Sequence, residues 1–304
     1  RGSGKDSCRI ITMNINRILV TGGSGFVGSH FIRHMLSKYP EVQVVNIDNL
    51  STGNLGNLSD IKTNHRYHFV RADMREHDTL DAVLSEGVDA VVNAAGVCPS
   101  PLGHNRSYID GNVGTLTALL DRIAHYNSLE GYKVQRFIQL SSYEVYGNGG
   151  GEPVYHVQPA SRYAVSKAAA DMECLVRKND ANIPAMILRM SEIHGSGQHI
   201  AHGMNALLNN KDQWFDMRFP YETYEWLSVY DVVNAIDFLM HRGKVGEIYH
   251  AGSGEYASIR DIQKCVQART PLMSSKERGD YPDVSAEALW ELGWRPKVSL
   301  DAMY

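Results

Sequence analysis

Up to about residue 192, the hydrophobic residues follow two alternating periods. Short apolar runs predict six β-strands, at 17–20, 42–48, 66–72, 89–95, 135–141 and 185–190. Amphipathic stretches between them predict four helices, at 26–38, 77–85, 108–126 and 162–178. Strands that alternate with helices over short connections are typical of an α/β protein with a doubly wound parallel sheet. Ligands of such a sheet bind at the carboxyl ends of its strands.

The pattern changes after about residue 192. Helical stretches alternate with loops rich in Asn, Tyr, Gly and Pro, and one more strand is predicted, at 247–250. The helices predicted here lie at 200–209, 230–242, 258–268 and 285–292. We therefore expect a sheet domain at 13–192 and mainly a small substrate-binding lobe at 193–304, with some segments returning to the sheet. Residues 1–12 read as a leader left from expression ahead of Met13, and they lack the apolar region of a signal peptide.

The composition argues against several classes of protein. The chain has 304 residues, 43% of them hydrophobic and 21% charged, and no apolar run reaches the length of a membrane span. A net charge of -4 leaves no basic surface for nucleic acid. The four cysteines show no CxxC spacing, which argues against a disulfide framework or a zinc site and favours the reducing cytoplasm. We expect no membrane partner and no nucleic-acid partner.

A glycine cluster joins the first predicted strand to the first predicted helix. It fits both Gly23-x-Gly25-x-x-Gly28 and Gly22-x-x-Gly25-x-x-Gly28. Glycines at this spacing permit a tight turn and a close approach of a pyrophosphate to backbone N–H groups at the helix N-terminus. An ordinary strand–helix turn is the alternative. The motif predicts a Rossmann-like dinucleotide site.

The second predicted strand ends in a carboxylate, as such a site requires. Asp48 lies twenty residues past Gly28. A carboxylate there accepts hydrogen bonds from the ribose 2′-hydroxyl and repels a 2′-phosphate. Because no Arg or Lys occupies positions 21–30 or 49–54, the sequence favours NAD over NADP as the cofactor.

Tyr163 and Lys167 stand four residues apart at the start of a predicted helix, so they share one face. An ammonium beside a phenol lowers the pKa of the phenol, which would make Tyr163 a general base near neutrality. A pair of this kind is also common on helix surfaces. Ser142, at the end of a preceding strand, strengthens the catalytic interpretation because its hydroxyl can hydrogen-bond a substrate hydroxyl or carbonyl.

The combined motifs resemble those of the extended short-chain dehydrogenase/reductase family, and within it the NAD-dependent nucleotide-sugar epimerases and dehydratases. They cover nearly all of 16–300 and are TGGSGFVG at 21–28, DNLSTGN at 48–54, RAD at 71–73, NAAG at 93–96, SSYEVYG at 141–147, YAVSK at 163–167 and LGWRP at 292–296. The resemblance implies that Asp73 and Met74 hold the adenine of NAD. The cofactor residues that it implies, together with those of the glycine turn, are Gly22, Gly25, Phe26, Val27, Gly28, Asp48, Asn49, Ser51, Asp73, Met74, Ala94, Ala95, Gly96, Asn112, Tyr163 and Lys167.

The resemblance also implies the catalytic residues. Tyr163 would remove the proton of the sugar 4-hydroxyl while carbon 4 passes hydride to NAD, and Ser142 would share that hydrogen bond. SSYEVYG is similar to the dehydratase pattern S-T-D-E-V-Y-G, in which the Glu takes the proton of carbon 5. Glu144 would have this role, with a solvated strand-end carboxylate as the alternative. Tyr143 stands where dehydratases have the Asp that protonates the leaving hydroxyl.

These assignments favour a nucleotide-sugar 4,6-dehydratase. The alternatives are a nucleotide-sugar 4-epimerase, a decarboxylase of the UDP-glucuronate type and, in a different class, a non-catalytic NAD-binding regulator. The intact Ser142, Tyr163 and Lys167 argue against the regulator, since a binding module needs no such set.

The resemblance implies substrate contacts as well, at Cys98, Ser142, Glu192 and Arg278. Glu192 takes the place of a usual Asn, and the arginine motif at Arg278 is one residue short. A small apolar filler is the alternative for Cys98. His194, His199 and His202 have no carboxylate or Cys nearby to complete a shell, so we expect no metal site.

The family pairs as a homodimer through a four-helix bundle, which would here consist of helices 108–126 and 162–178 from each subunit. Apolar residues beyond the stripe that faces the sheet support this expectation: Leu116, Leu119, Ile123, Ala168, Met172 and Leu175.

Overall fold

The computed structural model describes ten strands, distributed over two sheets. The described residues are 15–99, 107–147, 155–198, 222–268, 270, 272–279, 281–282 and 284–300. In chain order the strands are β1 (Arg17–Thr21), β2 (Gln43–Ile47), β3 (Tyr67–Val70), β4 (Ala90–Asn93), β5 (Arg136–Ser142), β6 (Ala185–Met190), β7 (Glu192–His194), β8 (Thr223–Ser228), β9 (Ile248–Ala251) and β10 (Tyr256–Ser258).

The central sheet has seven parallel strands in the order β3-β2-β1-β4-β5-β6-β9. Its order reverses between β1 and β4, which is the switch point at which such sheets bind dinucleotides. At this point Thr21, the last residue of β1, is in register with Ile47 of β2 and Asn93 of β4. The predicted fold class and all seven predicted strands are therefore confirmed.

Seven helices are described: α1 (Phe26–Lys38), α2 (His77–Ser85), α3 (Thr115–Asn127), α4 (Arg162–Asp180), α5 (Val229–Arg242), α6 (Ile259–Ala268) and α7 (Glu287–Glu291). α1 and α5 cover one face of the central sheet, and α2, α3 and α4 cover the other, which makes the sheet doubly wound. Although α5 and β9 lie beyond residue 192, they pack with the sheet, as the expected return of segments requires. The helix predicted at 200–209 and the leader at 1–12 lie outside the described residues.

The helix predicted at 108–126 begins at residue 108, as expected, but its first part is not a regular α-helix. A π-helical turn, Asp110–Gly114, precedes α3. Within this turn the side chain of Asn112 contacts the chain after β4, because its Oδ1 accepts a hydrogen bond from Val97 N at 2.6 Å and its Nδ2 donates to Val97 O at 3.1 Å. An inserted residue of this kind is common at functional sites.

A second, three-stranded sheet was missed by the sequence reading. Its order is β10-β8-β7, and β8 carries the large buried residues Tyr224 and Trp226. Two of its strands have only three residues, too few to show a period. Together with Tyr281 and with Tyr143, which follows β5, these side chains form an aromatic core separate from the two cores of the central sheet.

The residues expected to form a dimer surface are mostly interior within one chain. Leu116, Leu119 and Ile123 have no exposed surface, and Ala168 is buried. Leu175 packs partly against the core under α2 and α3. That part of the argument for a dimer is wrong for the three α3 residues, which cover the sheet, and for Ala168, which packs against Val145 and Tyr146. The described residues include no helix long and apolar enough to cross a bilayer.

Candidate active site

A cavity of about 780 Å³ opens along the carboxyl ends of the central strands. Residues that follow β1, β2, β3, β4, β5 and β6 line it, so one space joins the glycine turn to the predicted catalytic residues. Of the site residues predicted from the sequence, all but Asn112 and Arg278 line this cavity.

The glycine turn packs so closely on the neighbouring backbone that Gly22 and Gly28 have no room for a side chain. Gly22 has a φ of +66°, and a Cβ on it would lie 2.6 Å from the backbone of Ala95. A Cβ on Gly28 would lie 2.6 Å from Gly22 O. The first turn of α1 therefore stands against β1 and β4 with its N-terminus on the cavity, which fits the pyrophosphate of a dinucleotide.

Asp48 is held in place by the backbone of two loops. Its Oδ2 accepts a hydrogen bond from Ser24 N at 2.9 Å, and its Oδ1 accepts one from Leu50 N at 2.8 Å. Burial raises the pKa of Asp48, although both N–H groups act in the opposite direction. The carboxylate is thereby tied to the glycine turn, at the position that a ribose 2′-hydroxyl requires.

The end of the cavity that was predicted to take adenosine contains two residues that the sequence did not suggest, Arg75 and Asp110. Asp73 Oδ2 accepts a hydrogen bond from Asn49 Nδ2 at 3.0 Å, and the carboxylate is paired with Arg75. This guanidinium holds the pKa of Asp73 well below its ordinary value. The search of positions 49–54 for an Arg or Lys did not reach Arg75, so this cation was not expected from the sequence.

Asn112 supports the cofactor site from behind. Besides Val97 it contacts Ser166 of α4, whose Oγ is 2.9 Å from Asn112 Nδ2. A Cβ on Gly96 would lie 2.9 Å from Asn112 Oδ1. The structure therefore gives Asn112 a positioning role for the segment after β4.

Tyr163 and Lys167 lie together on the cavity wall. The Nζ atom of Lys167 is 5.9 Å from the ring centroid of Tyr163, and it donates a hydrogen bond to Leu140 O at 3.0 Å. α4 begins where Ser161 Oγ accepts a hydrogen bond from Ala164 N, which orients this first turn. Ser142 lies opposite, at the end of β5.

Tyr143 is buried between the two sheets. It is 5% exposed, and its ring centroid is 5.0 Å from that of Tyr281. Burial raises the pKa of Tyr143 well above its ordinary value, and the charge of Glu192 adds to this rise. Glu192 is itself 8% exposed and lines the same cavity, as does Glu144. Two carboxyl groups and one phenol thus flank the catalytic end.

The remaining predicted residues differ in whether they line the cavity. Cys98 is exposed and lines the cavity, whereas Arg278 lies outside its lining and donates a hydrogen bond to Tyr281 O at 3.0 Å. His194 is buried, which lowers its pKa to about 4. His199 and His202 lie outside the described residues, and among those described no group of three His, Cys, Asp or Glu residues could hold a metal ion.

A buried polar chain, also missed from the sequence, runs beneath the site. Arg189 Nε donates to Asp171 Oδ2 at 2.9 Å, and Arg189 also donates to the hydroxyl of Tyr146. That hydroxyl lies 2.7 Å from Nε2 of His250, whose pKa burial lowers to about 3. Asp171 lies one helical turn after Lys167. These hydrogen bonds therefore connect the face of α4 that carries Lys167 to β6 and β9.

Comparison with known proteins places these features in a family. The model of the NAD dependent epimerase/dehydratase family matches residues 18–252. The dTDP-D-glucose 4,6-dehydratase of Bos taurus is 29% identical over 307 residues, with 93% of this chain and 84% of that protein covered. The solved structure of DesIV, a dTDP-glucose 4,6-dehydratase from Streptomyces venezuelae with NAD bound, has 27% identity and a TM-score of 0.79 over 93% of both chains. A UDP-glucuronic acid 4-epimerase from Bacillus cereus has the same fold, with a TM-score of 0.79 over 94% of this chain and 95% of that one at 24% identity.

Proposed function

Because the chain belongs to the NAD dependent epimerase/dehydratase family, we propose that it is a nucleotide-sugar 4,6-dehydratase. Its similarity to dTDP-glucose 4,6-dehydratases supports this reaction and confirms the predicted class, an NAD-dependent enzyme for nucleotide sugars. Glu144 is the observation that carries the choice of reaction. It lines the cavity beside Ser142 and Tyr143, where a carboxylate can act as the base of an elimination.

The glycine turn, Asp48 and the segment 94–96 would hold NAD, and Asn49 and Asp73 would line the end of the cavity that takes its adenosine. NAD supplies a hydride acceptor and donor for carbon 4 and carbon 6 of the sugar. Side chains of the protein carry out the proton transfers. Tyr163 takes the proton of the 4-hydroxyl through its phenolic oxygen, and Ser142 orients that hydroxyl. Lys167, anchored on Leu140 O, favours the phenolate by its charge.

Elimination of water needs a base at carbon 5 and a proton donor at the oxygen on carbon 6, because hydroxide is a poor leaving group. Glu144 serves as the base. Tyr143 is a weak donor, since burial raises its pKa well above the ordinary value of a phenol. We assign the donor role to Glu192, whose carboxyl is nearly buried in the same wall.

Two substitutions test this assignment. Glu192→Gln should slow the loss of water by about 10²-fold, a typical contribution of general acid catalysis. Tyr143→Phe, which keeps the ring against Tyr281, should slow it less than about threefold, since it removes a poor acid only. The reverse order of the two effects would return the role to Tyr143. Exchange of the carbon 5 proton with solvent should persist in both variants because Glu144 is intact.

Mass spectrometry of UDP-, dTDP- and GDP-sugars after incubation with the protein tests the reaction itself. A product lighter by one water supports the dehydratase, and a product lighter by one carbon dioxide indicates the decarboxylase. An isomer of unchanged mass but different retention indicates the 4-epimerase, which needs only Tyr163, Ser142, Lys167 and a sugar free to rotate. If no sugar changes and NAD still binds, the non-catalytic regulator is the better interpretation.

The proposal includes a homodimer through α3 and α4, and of the residues first expected at its surface it keeps Met172. Val165 and Val176 are 45% and 55% exposed, and with the partly exposed Ala169 and Met172 they form one apolar stripe along α4. The positions recur every three or four residues, as on one helix face. Sedimentation at micromolar concentration should give a dimer, and Val176→Glu should shift it toward the monomer. We place the enzyme in the cytoplasm, which suits a chain with four cysteines and no CxxC spacing.

A further inference from the structure

Arg75 stands at the adenosine end of the cavity, held by two carboxylates. Its Nε donates to Asp73 Oδ1 at 2.8 Å and its Nη2 to Asp73 Oδ2 at 2.9 Å. Its Nη1 donates to Asp110 Oδ2 at 2.8 Å. All three residues line the cavity. A two-point contact to one carboxylate fixes the plane of a guanidinium, not only its position.

The contact with Asp110 joins parts of the chain that are far apart in sequence. Arg75 lies in the loop between β3 and α2, and Asp110 begins the π-helical turn before α3. On the other side, Asp73 accepts a hydrogen bond from Asn49, the neighbour of Asp48. A continuous row of hydrogen bonds therefore runs along the rim of the cavity, from the end of β2 to the start of α3.

This row has two chemical consequences. A guanidinium held flat offers its face to an aromatic base, and arginine stacks on such rings. One guanidinium between two carboxylates also leaves a net negative charge at the rim. A ligand with an additional phosphate on its ribose is therefore not attracted, although a cation lies close by.

We infer that Arg75 is an adenosine-binding residue which, through Asp110, closes this end of the cavity and slows the release of NAD. The inference rests on the NAD site of the proposed function and on no step of the sugar chemistry. Arg75 is not part of the sequence motif from which the NAD site was predicted. The charge pattern also makes the row a determinant of NAD over NADP.

Dissociation of NAD from the loaded protein tests the inference without any sugar substrate. Arg75→Gln should raise the dissociation rate by about tenfold or more, a loss of about 1.4 kcal/mol. Asp110→Asn keeps the contact with Asp73 and should raise the rate by about three- to fivefold. Asp121→Asn is the matched control, since it removes an ion pair between Asp121 of α3 and Arg177 of α4, which lies outside the cavity. Its dissociation rate should equal that of the wild type.

Two further measurements separate stacking from charge. Arg75→Lys keeps the charge without the plane, so it should release NAD as fast as Arg75→Gln. Asp110→Asn removes one negative charge and should improve the affinity for NADP relative to NAD. Unchanged NAD release in Arg75→Gln and Asp110→Asn, with tight binding by the wild type, would overturn the inference and leave the proposed function standing. A wild-type protein that binds no NAD would overturn both.

Discussion

Replacing Asp171 by Asn is expected to lower the free energy of unfolding by about 3–5 kcal/mol, because it leaves the guanidinium of Arg189 buried without a counter-charge. Both side chains have no exposed surface, and a hydrogen bond of 2.9 Å joins them. Burial raises the pKa of Asp171, while Arg189 and Lys167 offset part of that rise. A domain's total stability is only about 5–15 kcal/mol, so the loss would be a large share.

Two other substitutions calibrate that magnitude. Tyr146→Phe keeps the ring, which lies 4.9 Å from the Arg189 guanidinium, but removes the hydroxyl between Arg189 and His250. Losing these two buried hydrogen bonds should cost about 1–3 kcal/mol. Asp121→Asn removes an exposed pair with Arg177 and should cost less than about 1 kcal/mol. The expected order is therefore Asp171→Asn, then Tyr146→Phe, then Asp121→Asn.

Urea unfolding at neutral pH, followed by tryptophan fluorescence, measures all three differences. A cost below about 1 kcal/mol for Asp171→Asn would refute the reasoning, because it would mean that the folded protein does not hold an ionised pair there. The m value should stay constant across the variants, since none of them changes the surface that unfolding exposes. A changed m value would indicate an altered folded or unfolded state instead of a lost contact.

Asp48→Ala should weaken NAD binding by about tenfold and relax discrimination against NADP, as titration of both cofactors would show; a wild type that prefers NADP tenfold would contradict the role of Asp48. Glu144→Gln should still form reduced nicotinamide, seen by its absorbance, while product formation falls about 10²-fold; full activity would point to the epimerase. Burial alone would raise the pKa of Asp237, but hydrogen bonds from donors that include His241 and His34 hold it well below its ordinary value. This stability is present above the unfolded carboxyl's pKa of about 4 and is lost as pH falls, so the gap between wild type and Asp237→Asn should narrow below about pH 4; a constant gap would exclude that linkage.

The parts of the site that the sequence could predict are those with short spacings. Each of these features depends on one local element, whose hydrophobic period and end residues can be recognised in the sequence. They are the glycine turn, Asp48 at the end of the next strand, and the pair Tyr163 and Lys167. A parallel sheet then brings strand ends to one edge, so these local features meet in one cavity without further assumptions.

Contacts between distant elements could not be predicted in this way. Arg75 and Asp110 are 35 positions apart, and Arg189 reaches Tyr146 across 43. Each of these residues is charged or phenolic, and a single chain gives no sign of which polar residues will be enclosed together. Register and burial decide those pairings, and both are properties of the packed sheet.

Burial also separates residues whose sequence patterns look equivalent. Leu116 and Val165 both occupy helix positions outside the obvious polar face, yet Leu116 is enclosed and Val165 is exposed. Tyr143 is the more consequential case. From the sequence it stands at the position of a proton donor, but its burial, which includes packing against Tyr281, raises its pKa and makes it a weaker acid. If elimination occurs here, its proton must come from another group in the same wall, and Glu192 is the carboxyl that the fold places there.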